Sequence, residues 1–181
     1  MQRIRFNKAG HNKETFNTSD LSISGLTLSG YTLIFDTESG DRGGYVVRMS
    51  KSGLVLPDYD VTALYNHDDG RILARESNGT LQVSSDDRGI RFSFTLADTQ
   101  FNRDLVTQIR RRDIGGMSVG VYPLETHKED NGRVVVYDRY LLDELSVVPL
   151  PCFDNTSVQA VNTAIDLLDY ELQLATLEYD E

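Results

Sequence analysis

The sequence is short of cysteine, of histidine and of positive charge. A single cysteine, Cys152, in 181 residues excludes an internal disulfide framework and any cysteine-rich zinc site. Only three histidines are present, His11, His67 and His127, so chemistry that needs several imidazoles together has little to draw on. Lys and Arg total 18 against 28 Asp and Glu, a net charge of -10. That balance argues against a broad nucleic-acid footprint, because phosphate contacts need clustered cations. The one basic cluster, Arg110 to Arg112, falls at the end of a helical pattern, where offsetting the helix macrodipole is role enough. No stretch reads as a signal peptide or a membrane span. The expectation is a soluble, intracellular protein with neither nucleic acid nor membrane as a partner.

What is there is ordinary globular composition, 39% hydrophobic and 25% charged. The length suits one domain that buries roughly 70% of its unfolded surface. Residues 1–22 are polar and aperiodic, a loose lead-in. Strand patterns follow at Leu26 to Phe35, Tyr45 to Met49 and Val61 to His67, the last closed by an Asp68-Asp69-Gly70 turn. Leu81 and Val83, then the turn Asp86 to Gly89, then Ile90, Phe92, Phe94 and Leu96 in strict alternation, read as a hairpin. Asp98 or Thr99 caps a helix carrying Phe101, Leu105 and Ile109. Val134 to Val148 is strand, broken by Asp143-Glu144 and stopped by Pro149 and Pro151. Asn155 or Thr156 caps a last helix in which Val158, Val161, Ile165, Leu168, Leu172 and Ala175 recur at intervals of three and four. The order favours an α+β fold, a mostly antiparallel β-barrel flanked by a few helices. The chain divides into the lead-in at 1–22, a barrel domain at 23–157, and a C-terminal helix with an acidic tail at 158–181.

Three places hold residues suited to chemistry. In Gly115-Gly116-Met117-Ser118-Val119-Gly120-Val121 the alternation puts Met117, Val119 and Val121 on one face and Ser118 with Gly120 on the other. An apolar anchor with a hydroxyl facing a space kept open by glycine suits a nucleophilic serine, which needs an adjacent base. The plainer alternative is a half-buried strand with a polar face. His67, in Tyr65-Asn66-His67-Asp68, closes a strand beside a turn and is the best placed of the three histidines to be that base. Within Leu142-Asp143-Glu144-Leu145-Ser146-Val147-Val148, an acid in an apolar strand costs desolvation unless something pairs with it. A carboxylate that orients an imidazole would be such a pair, and alternation does not choose between Asp143 and Glu144.

The ordered set Tyr-Asn-His-Asp at 65–68, Gly-Gly-Met-Ser-Val-Gly-Val at 115–121 and Glu-Leu-Ser-Val-Val-Pro-Leu-Pro at 144–151 resembles the prohead maturation proteases of tailed phages, relatives of the herpesvirus assemblin-type serine proteases. The resemblance covers roughly residues 22–160. It implies a herpesvirus-protease-like fold and a serine endopeptidase with His67 as base, Ser118 as nucleophile and Glu144 as acidic member. His127 is the alternative third member, because the herpesvirus relatives use a second histidine. Backbone N–H groups at Gly116, Met117 and Val119 are oxyanion candidates. The implied substrates are the scaffold, the N-terminal arm of the major capsid protein and the protease itself, inside an assembling prohead in the host cytoplasm. No metal or cofactor is implied. Ala74 stands where the family usually has glycine, and Val119 and Val121 stand where it often has bulkier residues. The relatives dimerise through helices, so the C-terminal seam could meet its own copy; packing on its own barrel is the other reading. Three rival functions remain: an inactive structural module of the same fold, a metal-dependent hydrolase built on His67, Asp68 and Asp69, and a cysteine nucleophile at Cys152.

Overall fold

The structure is a computed structural model and describes residues 4–5, 26–153 and 156–161. Its organising element is a 15-residue strand, β10 (Val134–Val148), about 50 Å long at the usual rise per residue. Along one edge it pairs antiparallel with β9 (Gly116–Glu129) through the tight turn at Asp130–Gly132. Along the other edge three short segments lie end to end, all parallel to it. β3 (Val46–Met49) faces Val134 to Tyr137, β4 (Leu54–Val55) faces Tyr140 and Leu141, and β5 (Thr62–Tyr65) faces Glu144 to Val147. β6 (Asp68–Arg75) hairpins back onto β5, and β1 (Ile4–Arg5) adds to β9 at Gly120 and Val121. That makes a seven-stranded mixed sheet.

The second sheet has four antiparallel strands. Its order is β11 (Ser157–Val161), β2 (Thr27–Ile34), β8 (Gly89–Thr95), β7 (Leu81–Ser85). In β8 the alternation does what alternation should: Ile90, Phe92 and Phe94 are buried while Arg91 is exposed. The one α-helix, α1 (Gln100–Arg110), starts at Thr99, whose hydroxyl accepts from the Asn102 N–H at 3.3 Å. Side chains of both sheets and α1 merge in one apolar core that includes Leu28, Phe94, Leu105, Met117 and Leu145.

Four expectations need correction. The described sheets do not close into a barrel; the architecture is α+β with an open mixed sheet and a smaller antiparallel one. Parallel pairing of β3, β4 and β5 with β10 joins segments some eighty to ninety residues apart, which no local pattern announces. The last helix does not begin at residue 157: Ser157 to Val161 pair with Tyr31 to Thr27 as a strand. A three-four spacing that starts Val158-Gln159-Ala160-Val161 is also compatible with period two, and the open edge of β2 decides it. The remainder of that segment, with the dimer seam drawn on it, lies outside the described residues, as does most of the lead-in. The turn after β5 is Asn66-His67, and Asp68 to Gly70 already belong to β6. Finally, α1 buries Asn102, Leu105, Val106 and Ile109, whereas Phe101 turns outward to meet Tyr65 edge-on at 5.4 Å.

Candidate active site

The site grows from the start of β9 and the end of β10. Their register sets Gly116 opposite Val148, Ser118 opposite Ser146, and Gly120 opposite Glu144. Directly opposed residues point to the same side of a sheet, so Ser118, Glu144 and Ser146 share one face. The register shifts between Leu142 and Glu144, leaving Asp143 as the extra residue. Such a bulge re-aims side chains, and here it brings Glu144 rather than Asp143 into step with Gly120.

Two of the three glycines of the serine motif, Gly116 and Gly120, have a structural reason. A Cβ on Gly120 would sit 2.5 Å from Glu144 Oε1 and 2.8 Å from its Cγ, so the space that glycine keeps open is filled by the carboxylate. A Cβ on Gly116 would strike the Pro151 ring at 2.5 Å. The serine motif and the proline-ended acidic motif are therefore two sides of one packed contact.

His67 arrives from the neighbouring hairpin. Asn66 and His67 form the two-residue connection between β5 and β6, with φ of 54° and 58°. Positive φ at both central positions is the geometry of a type I′ turn, which normally ends in glycine. A histidine held in such a sparsely populated conformation costs about 1–3 kcal/mol and persists only where its surroundings impose it. Here the Asn66 N–H donates to the Val147 carbonyl at 2.9 Å, and the His67 N–H donates to Ser146 Oγ at 3.1 Å. The imidazole then lies with Nδ1 2.6 Å from Glu144 Oε1. An ionised carboxylate can only accept, so Nδ1 carries the proton and Nε2 is the basic nitrogen of the ring.

Glu144 is 0% exposed, Ser118 0% and His67 5%. A buried carboxylate demands compensation. Oε1 receives the imidazole, and Oε2 accepts from Ser146 Oγ at 2.6 Å. Around the serine, Thr32 Oγ1 donates to the Ser118 carbonyl at 2.9 Å, and Thr156 Oγ1 donates to the Met117 carbonyl at 2.7 Å. The Met117 N–H donates back to Thr156 Oγ1 at 3.3 Å, so of the three oxyanion candidates Met117 is already engaged within the fold. Beside His67 an open depression of about 380 Å³ is lined by Asp68, Gly70, Arg71, Ile72, Leu73 and Phe101.

The other named residues lie elsewhere. His127 sits nine residues beyond Ser118 on β9, roughly 30 Å away. It is half-exposed between Asp138 at 2.6 Å and Glu129 at 3.1 Å, and these carboxylates hold its pKa above the ordinary value. His11 is outside the described residues. Cys152 is buried, its sulfur accepting from the Arg42 guanidinium at 3.0 Å. Among the described residues no group of three or more His, Cys, Asp or Glu side chains could hold a metal ion. No helix among them is long and apolar enough to cross a membrane. Ser146, Thr32 and Thr156 were not anticipated. The signal for Ser146 is in the sequence all the same, since Glu144 and Ser146 are two apart in a strand and must share a face.

Comparison with known proteins fixes first a class, the serine proteases. The chain belongs to the caudovirus prohead serine protease family, whose pattern it matches over residues 14–170. Membership sets its work in bacteriophage head maturation, inside the assembling prohead in the host cell. No curated protein and no solved structure matches the chain, so the likeness to herpesvirus proteases rests on sequence motifs alone.

Proposed function

We propose that Ser118, His67 and Glu144 are the nucleophile, base and orienting acid of an endopeptidase that cleaves the scaffold, the N-terminal arm of the major capsid protein and its own chain. The observation that carries this reading is the buried His67–Glu144 pair at 2.6 Å, tied through Ser146 to the strand position facing Ser118. His67 Nε2 takes the proton as Ser118 Oγ bonds to the scissile carbonyl carbon, and Glu144 stabilises the imidazolium that results. Of the three backbone candidates, the Val119 N–H is the proposed donor to the oxyanion, since Met117 bonds to Thr156 and Gly116 faces Val148 in the ladder. The C–N bond then breaks, His67 returns its proton to the leaving amine, and water releases the acyl group by the same steps in reverse. Burial of all three side chains keeps bulk water from weakening these charge interactions.

The depression along β6 supports a seat for the extended substrate. Its lining begins at Asp68, the residue after His67, and it offers Ile72 and Phe101 as exposed apolar contacts, at 49% and 36% exposure. Treatment of the full chain with diisopropyl fluorophosphate, followed by peptide mass mapping, tests the assignment. The expected result is a single phosphoryl adduct on Ser118, lost in Ser118→Ala and in His67→Ala. An unmodified wild-type protein, or an adduct that survives Ser118→Ala, overturns the triad and favours a structural module of the same fold.

A further inference from the structure

We infer that Ser146 is a positioning residue of this site, its hydroxyl locking the Glu144 carboxylate and the His67 main chain into one geometry. The inference rests on the reading of His67 and Glu144 given above.

Ser146 is 0% exposed. Its hydroxyl has one hydrogen to give and lone pairs to accept. The hydrogen goes to Glu144 Oε2 at 2.6 Å, within the range of charge-assisted O–H to carboxylate bonds. A lone pair accepts the His67 N–H at 3.1 Å. The other carboxylate oxygen, Oε1, takes the His67 Nδ1 proton at 2.6 Å. The chain of bonds therefore leaves the imidazole, passes through Glu144 and Ser146, and returns to the backbone of the same histidine. A closed circuit of this kind fixes the ring relative to its own main chain.

Each end needs fixing. His67 stands at φ 58° in a two-residue turn, and apart from the Asn66 bond to Val147 its main chain is held to β10 by Ser146. Glu144 is a flexible side chain whose carboxylate can rotate about its last bond. The donor on Oε2 stops that rotation with Oε1 turned to the ring, while glycine at 120 supplies the room. A serine present only to satisfy a backbone N–H would not need the carboxylate bond.

Removing the hydroxyl has a consequence for rate as well as for stability. Without its donor on Oε2, the carboxylate presents more negative charge to Nδ1 and is less well aimed. The imidazole is then less well oriented to take the Ser118 proton.

The test is the rate of Ser118 phosphorylation by diisopropyl fluorophosphate from pH 5 to 9, followed by intact mass, with a thermal melt of each variant. In that reaction the Ser118 Oγ–P bond forms, the P–F bond breaks, fluoride leaves and the serine proton passes to His67. Ser146→Ala should react about ten- to a hundredfold more slowly, as do enzymes stripped of a group that orients a catalytic ligand. Ser146→Thr, which keeps the hydroxyl, should recover most of the rate. If Ser146→Ala melts below the assay temperature, Ser146→Cys carries the same comparison with a weak donor of similar size. A Ser146→Ala protein with the wild-type rate across that pH range overturns the inference, even if it melts lower, because the serine is then structural only. Ser118→Ala separates the two levels: an adduct that persists there, or none in the wild type, sinks the triad itself.

Discussion

Glycine at position 120 states the residue-scale logic of this site most sharply. A methyl group there would stand 2.5 Å from the oxygen that holds the imidazole, so Gly120→Ala must push the carboxylate away from His67. A displacement near 1 Å of a catalytic group costs roughly 10²-fold in rate. We therefore expect kcat for Gly120→Ala to fall by about that factor, with KM nearly unchanged, in steady-state cleavage of a scaffold peptide. Wild-type turnover in that variant would mean that the Glu144 position does not matter. Direct losses should be larger: roughly 10⁶-fold for Ser118→Ala or His67→Ala, and about 10⁴-fold for Glu144→Gln, by analogy with other triads. Asp143→Asn, at the bulge, should cost far less than Glu144→Gln. The sequence named both acids, and only the register shift in β10, invisible to any count of alternating residues, sets them apart.

Legibility differs from element to element for a physical reason. The β7–β8 hairpin and α1 carry their own signals, namely alternation around an Asp-Arg-Gly turn and a capped amphipathic run. β3 and β5 showed as strand patterns, but their place beside β10 did not, and β4 carried no signal at all, because these short segments owe their position to parallel pairing with one distant strand. Ser118, His67 and Glu144 were legible as types in a spacing; Ser146 shares a face with Glu144 by alternation, but its bond to the His67 main chain needs β5 and β10 side by side.

Two predictions belong at this scale. The depression along β6 predicts that Ile72→Asp raises KM several-fold on an extended peptide while leaving kcat alone; an unchanged KM would move the substrate seat elsewhere. At the far end of β9 and β10, His127 bridges Asp138 and Glu129, and Glu129 also accepts from Arg48 at 2.6 Å. The histidine's pKa is raised, so its contribution is complete below its ordinary value near 6.5 and is lost as pH climbs through the raised one. The pKa of Glu129 is lowered, chiefly by Arg48 and then by His127, so its contribution is complete above 4.5 and lost as pH falls through the lowered value. Amide exchange at Thr126 and Tyr137 should thus accelerate, beyond the intrinsic pH effect, above the histidine range. His127→Gln should flatten that response without slowing catalysis. A His127→Gln protein as inactive as His67→Ala would put a second histidine back into the chemistry.

Across the whole molecule, the two sheets meet at β9, the strand that carries Ser118. Thr32 reaches over from β2 to the Ser118 carbonyl, and Thr156, just before β11, clamps Met117. The smaller sheet therefore helps to fix the main chain on which the Ser118 hydroxyl sits. Thr32→Val keeps the shape and removes the donor, which leaves a buried carbonyl one partner poorer at a cost of about 1–3 kcal/mol. A lowered melting temperature, with slower Ser118 modification at temperatures where the variant is folded, is the expected pair of results. In head maturation, all cleavage by this protease is expected to run through one serine, Ser118. The most direct measurement is the intact mass of scaffold and major capsid protein in proheads assembled with the wild-type chain or with Ser118→Ala. We expect cleaved products with the wild type, and full-length proteins with a variant that is still incorporated. Full processing by Ser118→Ala would contradict the account.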